Sequence, residues 1–159
     1  MNCTIRKASK QDMPAVLGLI KELATFEKEP DAVLLRVEDL ERDGFGARPL
    51  FQCFVAELAG EIVGMALCYP RYSTWKGPTI HLEDLIVTQA KRGLKIGAAL
   101  YKKVIEFGYE QGVERIEWVV LDWNTDAIGF YENTGARVLE DWNIAQMDRK
   151  AMKKYIAKP

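Results

Sequence analysis

The chain has 159 residues, with 22 Lys and Arg against 23 Asp and Glu and 48% hydrophobic residues. That composition excludes intrinsic disorder. A net charge of -1 excludes a general electrostatic grip on nucleic acid or an anionic membrane, both of which need a basic excess. The length fits one domain over 1–159 with a core that needs no staples. Cys3, Cys53 and Cys68 have no CxxC spacing, and His81 is the only histidine. They make no familiar metal cluster, so no metal is expected, and the cysteines read as core residues of a reducing compartment. The longest apolar run, 62–69, holds Gly64 and falls well short of the roughly 18 residues of a membrane span. The expected location is the cytoplasm.

In chain order, residues 3–7 form a short strand, and Ser9 with Asp12 reads as a capping box. Met13, Val16, Leu17, Ile20, Leu23 and Ala24 then keep helical spacing until Glu29-Pro30 ends the run. A polar helix follows at 37–43. Segments 51–58 and 61–69 read as a hairpin around Ala59-Gly60. A loop at 70–77 leads to a strand at 79–88, a glycine-containing loop at 89–93 and a helix at 94–110. A buried strand is predicted at 115–121, a short helix from Asn124 or Thr125 to Asn133, and two strands at 136–141 and 143–149. A meander feeding a β–α–β crossover makes the fold class α/β (α+β), with a mixed, mostly antiparallel sheet flanked by helices.

The informative stretch is the strand at 79–88 followed by Lys91-Arg92-Gly93-Leu94-Lys95-Ile96-Gly97-Ala98 and a helix. A strand passing through glycines into a helix N-terminus offers unpaired N–H groups to an anion, and three cations lie beside them. The spacing is neither a Walker loop nor G-x-G-x-x-G. A plain turn with solvated lysines reads the same from this stretch alone.

Leu82-Glu83-Asp84-Leu85-Ile86-Val87 with Arg92-Gly93-Leu94-Lys95-Ile96-Gly97 resembles the acetyl-CoA motif of the GNAT N-acetyltransferase superfamily. Asp122-Trp123-Asn124, Gly129-Phe130-Tyr131 and Gly135-Ala136 resemble its second half. More narrowly, Ile20-Lys21-Glu22-Leu23-Ala24, Phe26-Glu27 and Asp43-Gly44-Phe45-Gly46 are similar to the spermidine/spermine (diamine) subfamily. Two departures stand out. Lys95 replaces the first glycine of R-x-x-G-x-G, and Tyr72-Ser73-Thr74 before Trp75 lacks the acid that the polyamine enzymes tend to carry.

The resemblance implies a single GNAT-like domain and acetyl-CoA as co-substrate. It places Leu85, Ile86, Val87, Arg92, Gly93, Leu94, Lys95, Ile96, Gly97, Ala98, Asn124 and Tyr131 at the cofactor. It implies direct attack by a primary amine, Glu83 as proton acceptor and Tyr131 as proton donor to the leaving thiolate. Phe26, Glu27, Trp75, Glu83 and Asp122 are then expected to bind a small cationic acceptor, a diamine, polyamine or thialysine-like amino acid. A homodimer is also implied. The alternatives are a catalytically weak CoA-binding module and a protein-lysine acetyltransferase. By strict alternation Glu83 shares a strand face with His81, Leu85 and Val87, while Asp84 faces the core beside Ile80, Leu82 and Ile86.

Overall fold

Five strands form one sheet in the order β1-β2-β3-β4-β5. They are β1 (Cys3–Lys7), β2 (Gln52–Leu58), β3 (Glu61–Ser73), β4 (Gly77–Val87) and β5 (Ile116–Glu117). The first four pair antiparallel and β5 lies parallel to β4, so the sheet is mixed, as the element order requires. The computed structural model describes residues 3–157. They divide into two units, one through Val119 and one from Val120 onward. The first also holds α1 (Met13–Phe26), α2 (Val37–Phe45) and α3 (Ile96–Glu110); the second holds α4 (Thr125–Asn133) and α5 (Arg149–Ile156).

Period-two alternation gives the sheet two apolar faces. Cys53, Val55, Met65, Leu67 and Ile86 pack with Met13, Val16, Leu17 and Leu40 of α1 and α2. On the α3 side, the Phe54 and Phe107 rings meet edge to face at 5.6 Å. The sheet and α3 come close at Gly64, where a Cβ would sit 2.8 Å from the Ile86 carbonyl and 3.1 Å from Leu100. The predicted capping box is present. Asp12 accepts from Ser9 N at 2.7 Å and binds Arg6 at 2.8 and 3.0 Å, and Arg6 also reaches Glu57 at 2.8 Å.

Three expectations are corrected. The loop at 70–77 is mostly hairpin, with Pro70 opposite Ile80 and Ser73 opposite Gly77. Pro70 and the exposed polar residues after it hid that pairing, which cross-strand contacts fix regardless of pattern. The strand at 115–121 shrinks to Ile116–Glu117. The two strands at 136–141 and 143–149 are absent. Residues 136–148 are irregular, and Asp148 instead caps α5 by accepting from Ala151 N at 2.7 Å. A strand needs a neighbour for its backbone groups, and no strand is described in the second unit.

Candidate active site

The site begins with one extra residue in β4. Leu67 lies opposite Asp84 and Cys68 opposite Leu82, which leaves Glu83 without a cross-strand partner in a β-bulge. An inserted residue flips everything beyond it to the other face. Tyr69, Leu67 and Met65 alternate on the α1 side of the sheet, opposite His81, Asp84 and Ile86. Asp84 therefore joins His81 and Glu83 on one face, and Leu85 and Val87 turn to the α3 side. The strict-alternation assignment of Asp84, Leu85 and Val87 is corrected by this bulge.

Glu83 and Asp84 line one cleft of about 640 Å3, walled by Ile20, Val33, Leu40, Phe51, Leu67 and Tyr69. Burial, then the charges of Glu83 and Glu27, push the Asp84 carboxyl up to about 6. Glu27, which caps the C-terminus of α1, is also raised, by burial and by the Glu83 charge. Three carboxylates thus act on one another in one place, an arrangement that attracts a cation. Tyr69 donates its hydroxyl hydrogen to Glu83 Oε2 at 2.9 Å, and His81 Nε2 stands 3.5 Å from the same oxygen. Burial and the bond to Glu83 push the Tyr69 phenol up to about 12, so it stays a donor.

Beyond His81 the other edge of β4 loses its neighbour. The parallel ladder to β5 consists of Ile80 with Ile116 and His81 with Glu117. From Leu82 on, the backbone of that edge has no strand partner among the described residues. Backbone N–H groups near Leu85 are the kind of donor that stabilises a developing oxyanion.

Chain leaving β4 makes a 3-10 turn over Gln89–Lys91 and enters α3. Glu22 of α1 accepts from Gln89 N at 2.8 Å, a contact the sequence reading missed because it joins residues 67 apart. The Arg92 guanidinium donates to the Val87 carbonyl at 3.1 Å and lies 5.3 Å over the Phe26 ring, so it braces the loop as well as charging it. Gly93 has φ +80, and a Cβ there would meet nothing within 4 Å. Lys95, at the N-cap of α3, has φ 60 and ψ 12, the left-handed conformation that favours glycine. Ile96 is buried, whereas Leu94 is exposed. Gly97 and Ala98 lie in the first turn of α3, whose early N–H groups have no helical acceptors. An open loop, unpaired amides and Lys91, Arg92 and Lys95 fit a pyrophosphate.

Trp75 sits at the tip of the β3–β4 hairpin, exposed, its N–H on Ser73 Oγ at 3.2 Å. It lies beyond the Ser73–Gly77 pair that closes the hairpin, and that pair is already four residues along the strands, roughly 13 Å, from the Tyr69–His81 pair. In the second unit, Asp122 is exposed in the turn before α4. Asn124 caps α4, its side chain accepting from Ala127 N at 3.4 Å. Tyr131 is a buried residue of α4, its ring 5.4 Å from that of Phe130. Among the described residues no group of His, Cys, Asp and Glu is placed to hold a metal ion.

A family model described as the acetyltransferase (GNAT) family matches residues 17–136. The bovine (Bos taurus) thialysine N-epsilon-acetyltransferase is 40% identical over 165 residues, covering 97% of each chain. The human (Homo sapiens) spermidine/spermine N(1)-acetyltransferase-like protein 1 is 39% identical over 158 residues, covering 93% of this chain and 23% of that protein. Among solved structures, a Vibrio cholerae integron cassette protein superposes with TM-score 0.80 at 20% identity, covering 99% of both chains. An aminoglycoside acetyltransferase from an uncultured soil sample gives 0.72 at 21%, covering 91% of this chain and 97% of that one. At those identities the structures show the fold alone. The bulged, open-edged β4 and the glycine loop into α3 define an acyl-CoA transferase fold, and the chain belongs to the GNAT acetyltransferase family. It is an N-acetyltransferase, and members of that family take acetyl-CoA as co-substrate.

Proposed function

We propose that this chain transfers the acetyl group of acetyl-CoA directly to the primary amine of a small cationic acceptor, a diamine, polyamine or thialysine-like amino acid. The observation that carries this reading is the gathering of Glu27, Glu83 and Asp84, with mutual charge effects, at the bulge of β4. An alkylammonium, with a reference pKa of about 10.4, is held well by such a cluster but is unreactive until it loses a proton. Glu83 takes that proton, directly or through a water, a role worth typically about 10²–10⁴ in rate. Its Oε2 is held by Tyr69, which leaves Oε1 for the acceptor.

The loop at 92–98 binds the pyrophosphate through the N-terminal amides of α3, with Lys95 turned outward as an added cation. Amides of the β4 edge near Leu85 receive the developing oxyanion. Asn124 binds the cofactor arm and Tyr131 protonates the departing thiolate. Phe26 and Asp122 complete the acceptor side. The chain acts as one domain and as a homodimer, for which the exposed Leu139, Trp142, Ile144 and Met147 offer apolar surface. Its three free cysteines suit the cytoplasm.

The test is thiol release from acetyl-CoA, followed with DTNB, over a panel of diamines, polyamines and lysine analogues. Amine-dependent release is expected. Binding of acetyl-CoA without release on any amine would contradict the reading.

A further inference from the structure

Past Tyr69, the face of the sheet that carries Glu83 turns from acidic to basic. Alternation makes Arg71 the next residue of β3 on that face, opposite Thr79 of β4. Its guanidinium crosses β4 and meets one oxygen of Glu117, the β5 residue opposite His81. Arg115 stands 2.8 Å from the other oxygen. Two positive charges therefore share one negative charge, and among the described residues neither guanidinium has a second acidic partner. The Arg71 side chain is 55% exposed, and its contact with Glu117 runs through Nη1 alone, which leaves donors for a second anion. Its charge also reaches the acid cluster. It lowers the Tyr69 phenol, against the raise from burial and Glu83, and that phenol sits on Glu83 Oε2 at 2.9 Å.

We infer that Arg71 is a specificity-determining residue that binds a carboxylate at the far end of the acceptor, which makes the acceptor an amino acid acetylated on its side-chain amine. The inference rests on the amine-acetylation reading above. Arg71 leaves β3 two residues from Tyr69, roughly 7 Å along the strand. Three chain bonds span about 3.5 Å when extended, so roughly 7 Å is the reach of about six. That is the separation between the side-chain nitrogen and the carboxylate carbon in lysine and in thialysine. An ammonium held by Glu27, Glu83 and Asp84 then places its carboxylate at the guanidinium. The planar fork of N–H donors on an arginine matches a carboxylate. A diamine or polyamine would instead bring a second ammonium to a place where positive charge is already in excess, which opposes its binding.

The experiment compares kcat and KM for thialysine, for its carboxamide, which has the same amine but no carboxylate, and for cadaverine. Wild type should prefer thialysine over the carboxamide by about tenfold or more in kcat/KM, the size of one charge-assisted hydrogen bond. Arg71→Gln should cut that preference to about threefold or less by raising the thialysine KM, with kcat nearly kept and cadaverine handled no worse. Arg71→Met, which keeps the stem and drops the charge, repeats the test should the Gln variant fold poorly. Glu117→Gln breaks the same bridge but keeps the Arg71 charge, and it should keep the preference. A wild type that acetylates the carboxamide as well as thialysine overturns the inference. So does a full preference in both Arg71 variants, or an equal loss in Arg71→Gln and Glu117→Gln, which would make the bridge merely structural. Should no amine release CoA from wild type, the acetylation reading fails. Calorimetry with thialysine and its carboxamide on wild type and Arg71→Gln then decides whether Arg71 reads the carboxylate, and equal affinities for the two compounds overturn it.

Discussion

Tyr69 donates to Glu83 Oε2 across 2.9 Å, from one arm of the β3–β4 hairpin to the one residue on the other arm that lacks a cross-strand partner. The bond fixes a side chain that is otherwise half exposed. Tyr69→Phe frees it at no cost in packing. The expected result is about a tenfold fall in kcat/KM for the amine, the size of one hydrogen bond to a charged group, with the KM for acetyl-CoA unchanged. Steady-state kinetics with each substrate varied in turn checks it.

Asp84 is raised to about 6, chiefly by burial and then by Glu83 and Glu27. A carboxyl raised above its unfolded value binds more protons when folded, so its contribution to stability falls as pH rises from about 4 to 6. Asp84→Asn should therefore melt higher than wild type at pH 7.5, by roughly 1–2 kcal/mol, and gain least at pH 4. In wild type the amine KM should climb as pH drops through 6, where Asp84 loses its charge. Asp84→Asn should flatten that climb and raise the KM at pH 7.5. A steep climb retained in the variant would remove Asp84 from the acceptor's surroundings.

Lys95 holds a left-handed conformation that costs an ordinary side chain about 1–2 kcal/mol. Lys95→Gly removes that strain but gains chain entropy when unfolded, so the melting temperature should rise slightly or stay put. Acetyl-CoA affinity by calorimetry should be kept or weakened by less than about tenfold, the loss of one exposed charge. Clearly tighter binding would mean that the side chain obstructs the loop.

Asp12, buried and bound to Arg6 and Ser9, is lowered to about 2, first by the Arg6 hydrogen bond. A carboxyl lowered on folding stabilises the protein above its unfolded value near 4, and that stability is lost as pH falls toward 2. Asp12→Asn should cost about 2 kcal/mol at pH 7 in urea unfolding, and the difference from wild type should shrink below pH 4. A constant difference from pH 7 to pH 3 would contradict the assignment.

The fold was legible where a pattern is repeated by many residues. Helical spacing from Met13 to Ala24, alternation in β2 and β3, and the turn into α3 all appear where the sequence puts them. What escaped depends on single residues read against distant partners. The bulge at Glu83 leaves no compositional mark, yet it moves Asp84 to the face that carries His81 and turns Leu85 away. With 61–69 read as the strand and 70–77 as a loop, the partner of Tyr69 goes unseen; extending the hairpin to Ser73 and Gly77 gives the Tyr69–His81 register at once. The strands expected at 136–141 and 143–149 do not form, and Leu139, Ile144 and Met147 within them are exposed in the structure.

Glu83 as proton acceptor is tested most directly by the rate of CoA release in wild type and Glu83→Gln at pH 7 and near pH 10. At pH 7 the amine arrives protonated, and the variant should lose about 10²-fold or more in kcat. Near pH 10, about a third of an alkyl amine with the reference pKa is already neutral, and the gap should shrink markedly. An equal penalty at both pH values would show Glu83 binding the acceptor without taking its proton.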